Sequence, residues 1–155
     1  TILSNVTMDD PNISRQTAIN ALKAVGADRF IEKLPKRYDE PVTEGGSTYS
    51  LGERQLISFA RALAFDPAIL ILDEATANID TESEKVIQDA LEVIQKDRTT
   101  LIIAHRLSTI QHADNIFVLE SGKIKETGTH DELLAQHGIY YQMYKMQKGA
   151  SESAS

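Results

Sequence analysis

The chain has no cysteine among its 155 residues. That excludes a disulfide framework and a thiolate metal site, and it is compatible with a reducing compartment. Long apolar runs are missing too: the longest uninterrupted one that reads as a single element is Ala68 to Leu72, so any membrane-spanning part belongs elsewhere. Positive charge is scarce, with 16 Lys and Arg against 23 Asp and Glu, and the net −7 argues against a general nucleic-acid or anionic-membrane surface. The phosphate-cradling pattern GxxxxGK[ST] does not occur. Its nearest approach is Gly122-Lys123, followed by Ile124, which reads as a hairpin turn between NIFVLE and KIKET. There is no internal repeat, and the polar stretch Gly149 to Ser155 reads as a disordered tail. A 41% hydrophobic content is enough for one modest globular core.

What the chain does have is one dense run, Tyr49 to Asp80. Ala68 to Leu72 is wholly apolar, preceded by Asp66-Pro67 and followed abruptly by Asp73-Glu74, as expected for a strand buried on both faces of a parallel sheet. In open α/β sheets, ligands sit at the C-terminal ends of the strands. Adjacent strand residues point to opposite sides, which suits a division of labour between Asp73 and Glu74: one carboxylate would hold Mg²⁺ through its water shell and the other polarise an attacking water. On residue type alone, an acidic pair that merely opens a loop fits as well. Upstream, Ser50-Leu51-Gly52-Glu53 precedes an apolar stripe of Leu56, Ile57, Phe59, Ala60, Leu63 and Ala64 at helical spacing. Ser50 is therefore expected at the N-cap with Glu53 closing a capping box, and the positive end of the helix is a place for an anion.

Around this run the spacing predicts a helix over Ser14 to Val25 stopped by Gly26, a continuation over Arg29 to Leu34 up to Pro35, and a polar lead-in over Lys36 to Thr48. After the acidic pair, Thr81 and Glu84 open a helix to Lys96 whose Val86, Ile87, Ala90, Leu91 and Ile94 form a core face. TTLIIAH then reads as the second strand of a parallel βαβ unit, which brings Glu74 and His105 to one edge. Thr129 with Glu132 caps a last helix whose Ile139, Tyr140, Met143 and Met146 read as packing. A histidine after an apolar strand is commonly structural, but His105 beside a phosphate could donate to the charge that builds during transfer. Arg106 reads as a structural ion-pair partner.

In this order the features resemble the C-terminal two-thirds of the nucleotide-binding domain of an ABC transporter, bacterial exporter type, from Thr1 to about Gln147. TILSNV resembles the segment after the glutamine loop, and Thr43 to Ser47 the loop that senses transmembrane coupling helices. Tyr49 to Glu53 takes the place of the signature, Ile69 to Glu74 that of the Walker B strand, Ala77 to Asp80 that of the D-loop, and His105 that of the switch histidine. HDELL, His130 to Leu134, resembles the family's C-terminal helix. The signature departs from the usual LSGGQ: Tyr49 stands for leucine, Leu51 for glycine and Glu53 for glutamine.

The resemblance implies an α/β P-loop NTPase fold in part. A helical signature subdomain would occupy residues 1–66, the Walker B and switch half of the RecA-like core 67–148, and the tail 149–155, with the P-loop part absent and the chain read as a C-terminal piece of a longer protein. It implies ATP and Mg²⁺ as cofactors, and a second nucleotide-binding domain closing head to tail. Asp73, Glu74 and His105 then serve the site completed by the chain's own P-loop part, while Ser50, Leu51, Gly52, Glu53 and Asp80 face the nucleotide bound between the two domains. Transmembrane domains would be met through Thr43 to Ser47, at the cytoplasmic face of the cell membrane, with no nucleic acid. Full-length protein would hydrolyse ATP to power export, whereas the isolated chain would be inactive. With Glu74 intact and the signature altered, the two sites are expected to be unequal, as in heterodimeric multidrug-type exporters. Two other readings stay in view: the ATPase lobe of a DNA-associated chromosome-condensing protein, and a non-enzymatic half-domain that lends its signature helix to a partner.

Overall fold

In the computed structural model the backbone is described for residues 1–43, 48–73, 81–104 and 109–152, and the side chains for the same residues apart from 81–84 and 150–152. Packing divides the chain into two units, Thr1–Ile103 and Ala104–Ser155.

The first unit begins with three short helices, α1 (Ile2–Thr7), α2 (Arg15–Ala24) and α3 (Asp28–Ile31), followed by a 3₁₀ turn at Arg37–Asp39. Helix α2 ends as its sequence dictates. Gly26 at φ 74° adopts the left-handed conformation that glycine tolerates without a Cβ penalty. Gly26 N–H then donates to Lys23 and Ala27 N–H to Leu22, the paired bonds of a Schellman motif. Helix α3 is only one turn long, shorter than the expected continuation to Leu34. Arg15 at the start of α2 reaches the 3₁₀ turn through a two-pronged ion pair with Asp39 at 2.7 Å for each prong.

Helix α4 (Leu51–Phe65) is the spine of this unit. Its Leu56, Ile57, Phe59 and Ala60 are buried against α1 and α2 on one side and a later helix, α5 (Thr81–Gln95), on the other. It stops at Asp66, which takes the left-handed conformation at φ 44° immediately before Pro67, a residue that cannot continue a helix. Asp66 also accepts from Arg98 Nη2 at 3.1 Å, joining the segments that lead into two strands, β1 (Ile69–Asp73) and β2 (Thr99–Ile103).

Strands β1 and β2 pair in parallel, Ile69 opposite Thr99 through Asp73 opposite Ile103, with α5 as the crossover. Ile87, Ala90, Leu91 and Ile94 of α5 are all buried and Val86 packs beside them, as the helical spacing indicated. The expectation of a strand buried on both faces is not met. Leu70 and Leu72 are buried under the helices, but Ile69 and Ile71 alternate with them and are 65% and 64% exposed, as are about half of Leu101 and Ile103 on β2. The pleat sends successive side chains to opposite faces, and only one face of this pair is covered by the described residues.

The second unit holds the hairpin β3 (Ile116–Glu120) and β4 (Lys123–Gly128), then α6 (His130–Ala135) and α7 (Ile139–Glu152). Ser121 and Gly122 take successive positive φ values of 51° and 73°, the turn that matches the twist of an antiparallel hairpin. Its core is Ile116, Val118, Leu133 and Tyr140. The expected last helix is two helices, because His137 turns left-handed at φ 53°. The carboxylate of Glu126 on β4 then caps α7, accepting from the N–H groups of Ile139 at 2.6 Å and Tyr140 at 3.0 Å. A Cβ on Gly138 would meet that carboxylate, so a larger residue there would push the flexible end of Glu126 away from the cap. Tyr140 packs as expected, with its hydroxyl 2.7 Å from His130 Nδ1. Met143 and Met146 do not pack: they are exposed, since α7 turns Tyr140 and Tyr144 inward. Helix α7 continues to Glu152, so the described part of the expected tail is helical. Among the described residues no helix is long and apolar enough to cross a membrane.

Candidate functional site

Two places in the first unit hold the described candidate residues, the start of α4 and the end of β1. At the start of α4, Ser50 is the N-cap, with extended backbone at φ −60° and ψ 163°. Its Oγ accepts from Glu53 N–H at 3.2 Å, and its own N–H donates to Glu53 Oε2 at 2.8 Å, so the capping box is closed in both directions. Ser50 carbonyl takes Arg54 N–H at 3.0 Å. Ser50 is exposed and Glu53 half-buried, while Leu51 leaves 41% of its surface open at the first helical position. Gly52, by contrast, is buried.

Tyr49 faces the other way. Its ring is buried in the core, tilted against Phe30 at a centroid distance of 6.0 Å. Burial, and then the carboxylates of Glu40 and Glu53, push the phenol's pKa up and keep it neutral. The departure from leucine at this position is therefore a packing substitution beneath the helix start. The apolar pattern gave no sign of a second restraint: Arg54 Nη1 reaches back to the Tyr49 carbonyl at 3.1 Å, fixing the peptide just before Ser50. One helical face further along, Arg61 Nε donates to the Asn5 carbonyl at 2.7 Å and ties α1 to α4. Between them lies a cavity of about 380 Å³ lined by Asn5, Val42, Thr43, Tyr49, Arg54, Ile57 and Arg61. A sequence reading for apolar stripes passes over such arginines. Their spacing of seven, which puts them on one face of α4, is the signal that could have found them.

At the end of β1, Asp73 is exposed and lies opposite Ile103, so both parallel strands finish at the same edge. Glu74, Asp80 and His105 lie outside the described residues, as does most of the segment Thr43 to Ser47. The structure thus brings Ser50, Leu51, Gly52 and Glu53 together at one helix start and sets Asp73 at a strand end. No cluster of three metal-ligating side chains occurs among the described residues. A single exposed carboxylate nonetheless fits Mg²⁺, which keeps several waters and takes one or two carboxylates together with phosphate oxygens.

Comparison with known proteins gives the same picture. The family model described as ABC transporter matches residues 1–77. The chain is 63% identical over 99% of its length to the Bacillus subtilis protein named "Probable multidrug resistance ABC transporter ATP-binding/permease protein YheH", covering 23% of that relative. It is 55% identical over 95% of its length to "Uncharacterized ABC transporter ATP-binding protein YknV" of the same organism, covering 24%. Among solved structures, that of a bacterial Atm1-family ABC exporter with ATP bound superposes with a TM-score of 0.85 at 40% identity, over 95% of this chain and 26% of that one. The chain spans about a quarter of the length of these relatives. Each is a transporter or exporter by name, and none is a DNA-associated ATPase. The closed capping box of α4, the parallel strand pair ending at Asp73 and these likenesses agree: the chain belongs to the ABC transporter family, as part of its ATPase domain with the α/β P-loop NTPase fold.

Proposed function

We propose that this chain is the signature and Walker B portion of an ATPase domain that, in the full-length protein, hydrolyses ATP to drive export across the cell membrane from its cytoplasmic face. The observation that carries the reading is the start of α4, an N-cap serine exposed at a closed capping box, in a chain 63% identical to a protein named for multidrug resistance. Asp73, exposed at the end of β1, would hold Mg²⁺ through water. Bound there, the ion would neutralise phosphate charge. Glu74 orients or deprotonates the attacking water, and His105 donates to the γ-phosphate in the same site. Ser50, Leu51, Gly52 and Glu53 act on the nucleotide of a second ATPase domain closing head to tail, with Asp80 at the seam. Thr43 to Ser47 meets the transmembrane domains, and the cavity at the root of that segment supports a partner seated there.

Because Leu51 is open at the helix start, it crowds the partner's phosphate, and Glu53 adds negative charge there. The two sites are unequal: the one served by Glu74 turns over, and the one served by Ser50 mainly binds. The test is Glu74→Gln in the full-length protein, which keeps the shape and removes the carboxylate. Steady-state hydrolysis is expected to vanish with ATP binding retained. Loss of nucleotide affinity with residual turnover would assign Glu74 to binding.

A further inference from the structure

One polar joint in the first unit takes no part in the candidate site. Helix α4 ends at Asp66, left-handed at φ 44° and ψ 57°, and only Pro67 and Ala68 separate it from β1. At that corner the side chain of Arg98, 9% exposed, donates from Nη2 to Asp66 Oδ1 at 3.1 Å and from Nε to the Lys96 carbonyl at 3.3 Å. Its Nη1 is buried without a partner, and so is Thr100 Oγ1, two residues on and on the same side of the strand. Asp66 Oδ2 makes no hydrogen bond among the described residues. The exposed pair Arg15 and Asp39, by contrast, closes both prongs at 2.7 Å. Burial favours the reverse, because a buried charged donor left unpaired costs more than one that faces water. The joint is one bond short of the fork its two residues can form.

The place of the joint gives that missing bond leverage. It lies at the far ends of both elements that carry candidate residues, with Ser50 at the other end of α4 and Asp73 at the other end of β1. At about 1.5 Å per residue α4 is about 22 Å long, so a swing of about 5° at Asp66 displaces Ser50 by about 2 Å. Helices α1 and α2 pack on α4 and go with it.

We propose that Asp66 and Arg98 form a two-position clasp, one-pronged in this structure and two-pronged when the carboxylate moves over Nη1, and that the change sets the angle between α4 and the β1–β2 pair. Arg98 is then a positioning residue for hydrolysis, acting through α4 and touching no nucleotide. The inference rests on the proposed reading in which Ser50 and Asp73 serve bound nucleotide.

The experiment uses the full-length transporter. Arg98→Lys keeps the charge and one bond to Asp66 but has no second prong. Asp66→Asn keeps an acceptor for Nη2, tolerates the left-handed turn and offers Nη1 an amide donor in place of an oxygen. Each is expected to lower kcat at least about tenfold, the scale of a small misplacement of reacting groups, with KM for Mg-ATP and the thermal midpoint held. The double variant is expected to be no worse than either single one, since both remove the same bond. Spin labels at the exposed Ser58 of α4 and Glu92 of α5 supply a readout apart from activity. In the Glu74→Gln background Mg-ATP is expected to shift their separation when Arg98 is present and to leave it unmoved in Arg98→Lys. Unchanged kcat in Arg98→Lys, a loss of kcat that tracks a falling thermal midpoint, additive losses in the double variant, or a separation that ignores Mg-ATP overturns the clasp. Turnover that survives Glu74→Gln overturns the functional reading instead, and the label separation still decides the clasp.

Discussion

The start of α4 and the end of β1 are built by different means. Among the described residues, the hydrogen bonds that hold Ser50 come from within five residues: its N–H and Oγ are closed by Glu53, and the preceding peptide is held by Arg54. Strand β1 depends on residues far along the chain, since it needs β2 to pair with and the helical core cluster in which Leu70 and Leu72 are buried. Even so it hides only one face, and Ile69 and Ile71 remain open. A helix start can thus be complete in a short segment. A sheet of this class is not, because its backbone edges and second face must be satisfied by other strands and helices.

The largest expected effect follows from the open face. The chain by itself should turn over no ATP and bind it only weakly, since it has no GxxxxGK[ST] run. It should also self-associate through the apolar strip of Ile69, Ile71, Leu101 and Ile103. Sedimentation at micromolar concentration should show species larger than a monomer, and placing lysine at Ile71 and Leu101 should disperse them without loss of helix. A monomeric wild-type chain with one sharp thermal transition would contradict this.

On the covered face the comparison can be sharpened by a core truncation. Leu91 of α5 is buried beside Ile87 and Ile94, and Leu91→Ala should cost about 2–5 kcal/mol in denaturant unfolding. Leu101→Ala, on the open face of the same strand pair, should cost far less. Equal costs would mean that the two faces are not distinct.

The smallest effect is electrostatic and lies in the second unit. Glu132 closes the capping box of α6, and its pKa is held below the usual carboxylate value first by the Thr129 backbone N–H and then by the Thr129 side chain. A carboxylate depressed by folding contributes stability above its unfolded pKa and loses it as pH falls through the folded one. The thermal midpoint of wild type should therefore drop toward that of Glu132→Gln only as the pH enters the acid carboxylate range. A difference of the two midpoints that stays constant with pH would assign the cap no charge dependence.

These contrasts also explain what could be read in the sequence. Signals carried by a few neighbouring residues translated directly: Ser50 with Glu53, Gly26 after α2, Gly122 in the hairpin, and the spacing of Ile87, Leu91 and Ile94. Features set by distant partners did not. The break between α6 and α7 depends on Glu126 reaching Ile139 and Tyr140 across the unit, although Gly138 was a local hint of it. Tyr49 looked like a change in the phosphate-facing motif and proved to be packed on Phe30. Met143 and Met146 had the right spacing for a core and lie on the outside of α7, because period alone does not say which of two apolar stripes is covered. At the candidate site, the Ser50–Glu53 capping box was legible, whereas the bond from Arg54 to the Tyr49 carbonyl was not, and Asp73 could be placed only at a strand end.

The most direct test asks which nucleotide the α4 start acts on. Nucleotide occlusion should be measured separately in the two sites of the assembled full-length transporter for wild type, Leu51→Gly and Ser50→Ala. Leu51→Gly is expected to tighten the partner's site by restoring close backbone approach to the phosphate. Ser50→Ala is expected to weaken it, through loss of a phosphate donor and of an N-cap whose removal alone costs about 1 kcal/mol of helix stability. If both substitutions instead change the site that contains Glu74 and leave the partner's site untouched, the head-to-tail assignment is wrong and Ser50 is an ordinary helix cap.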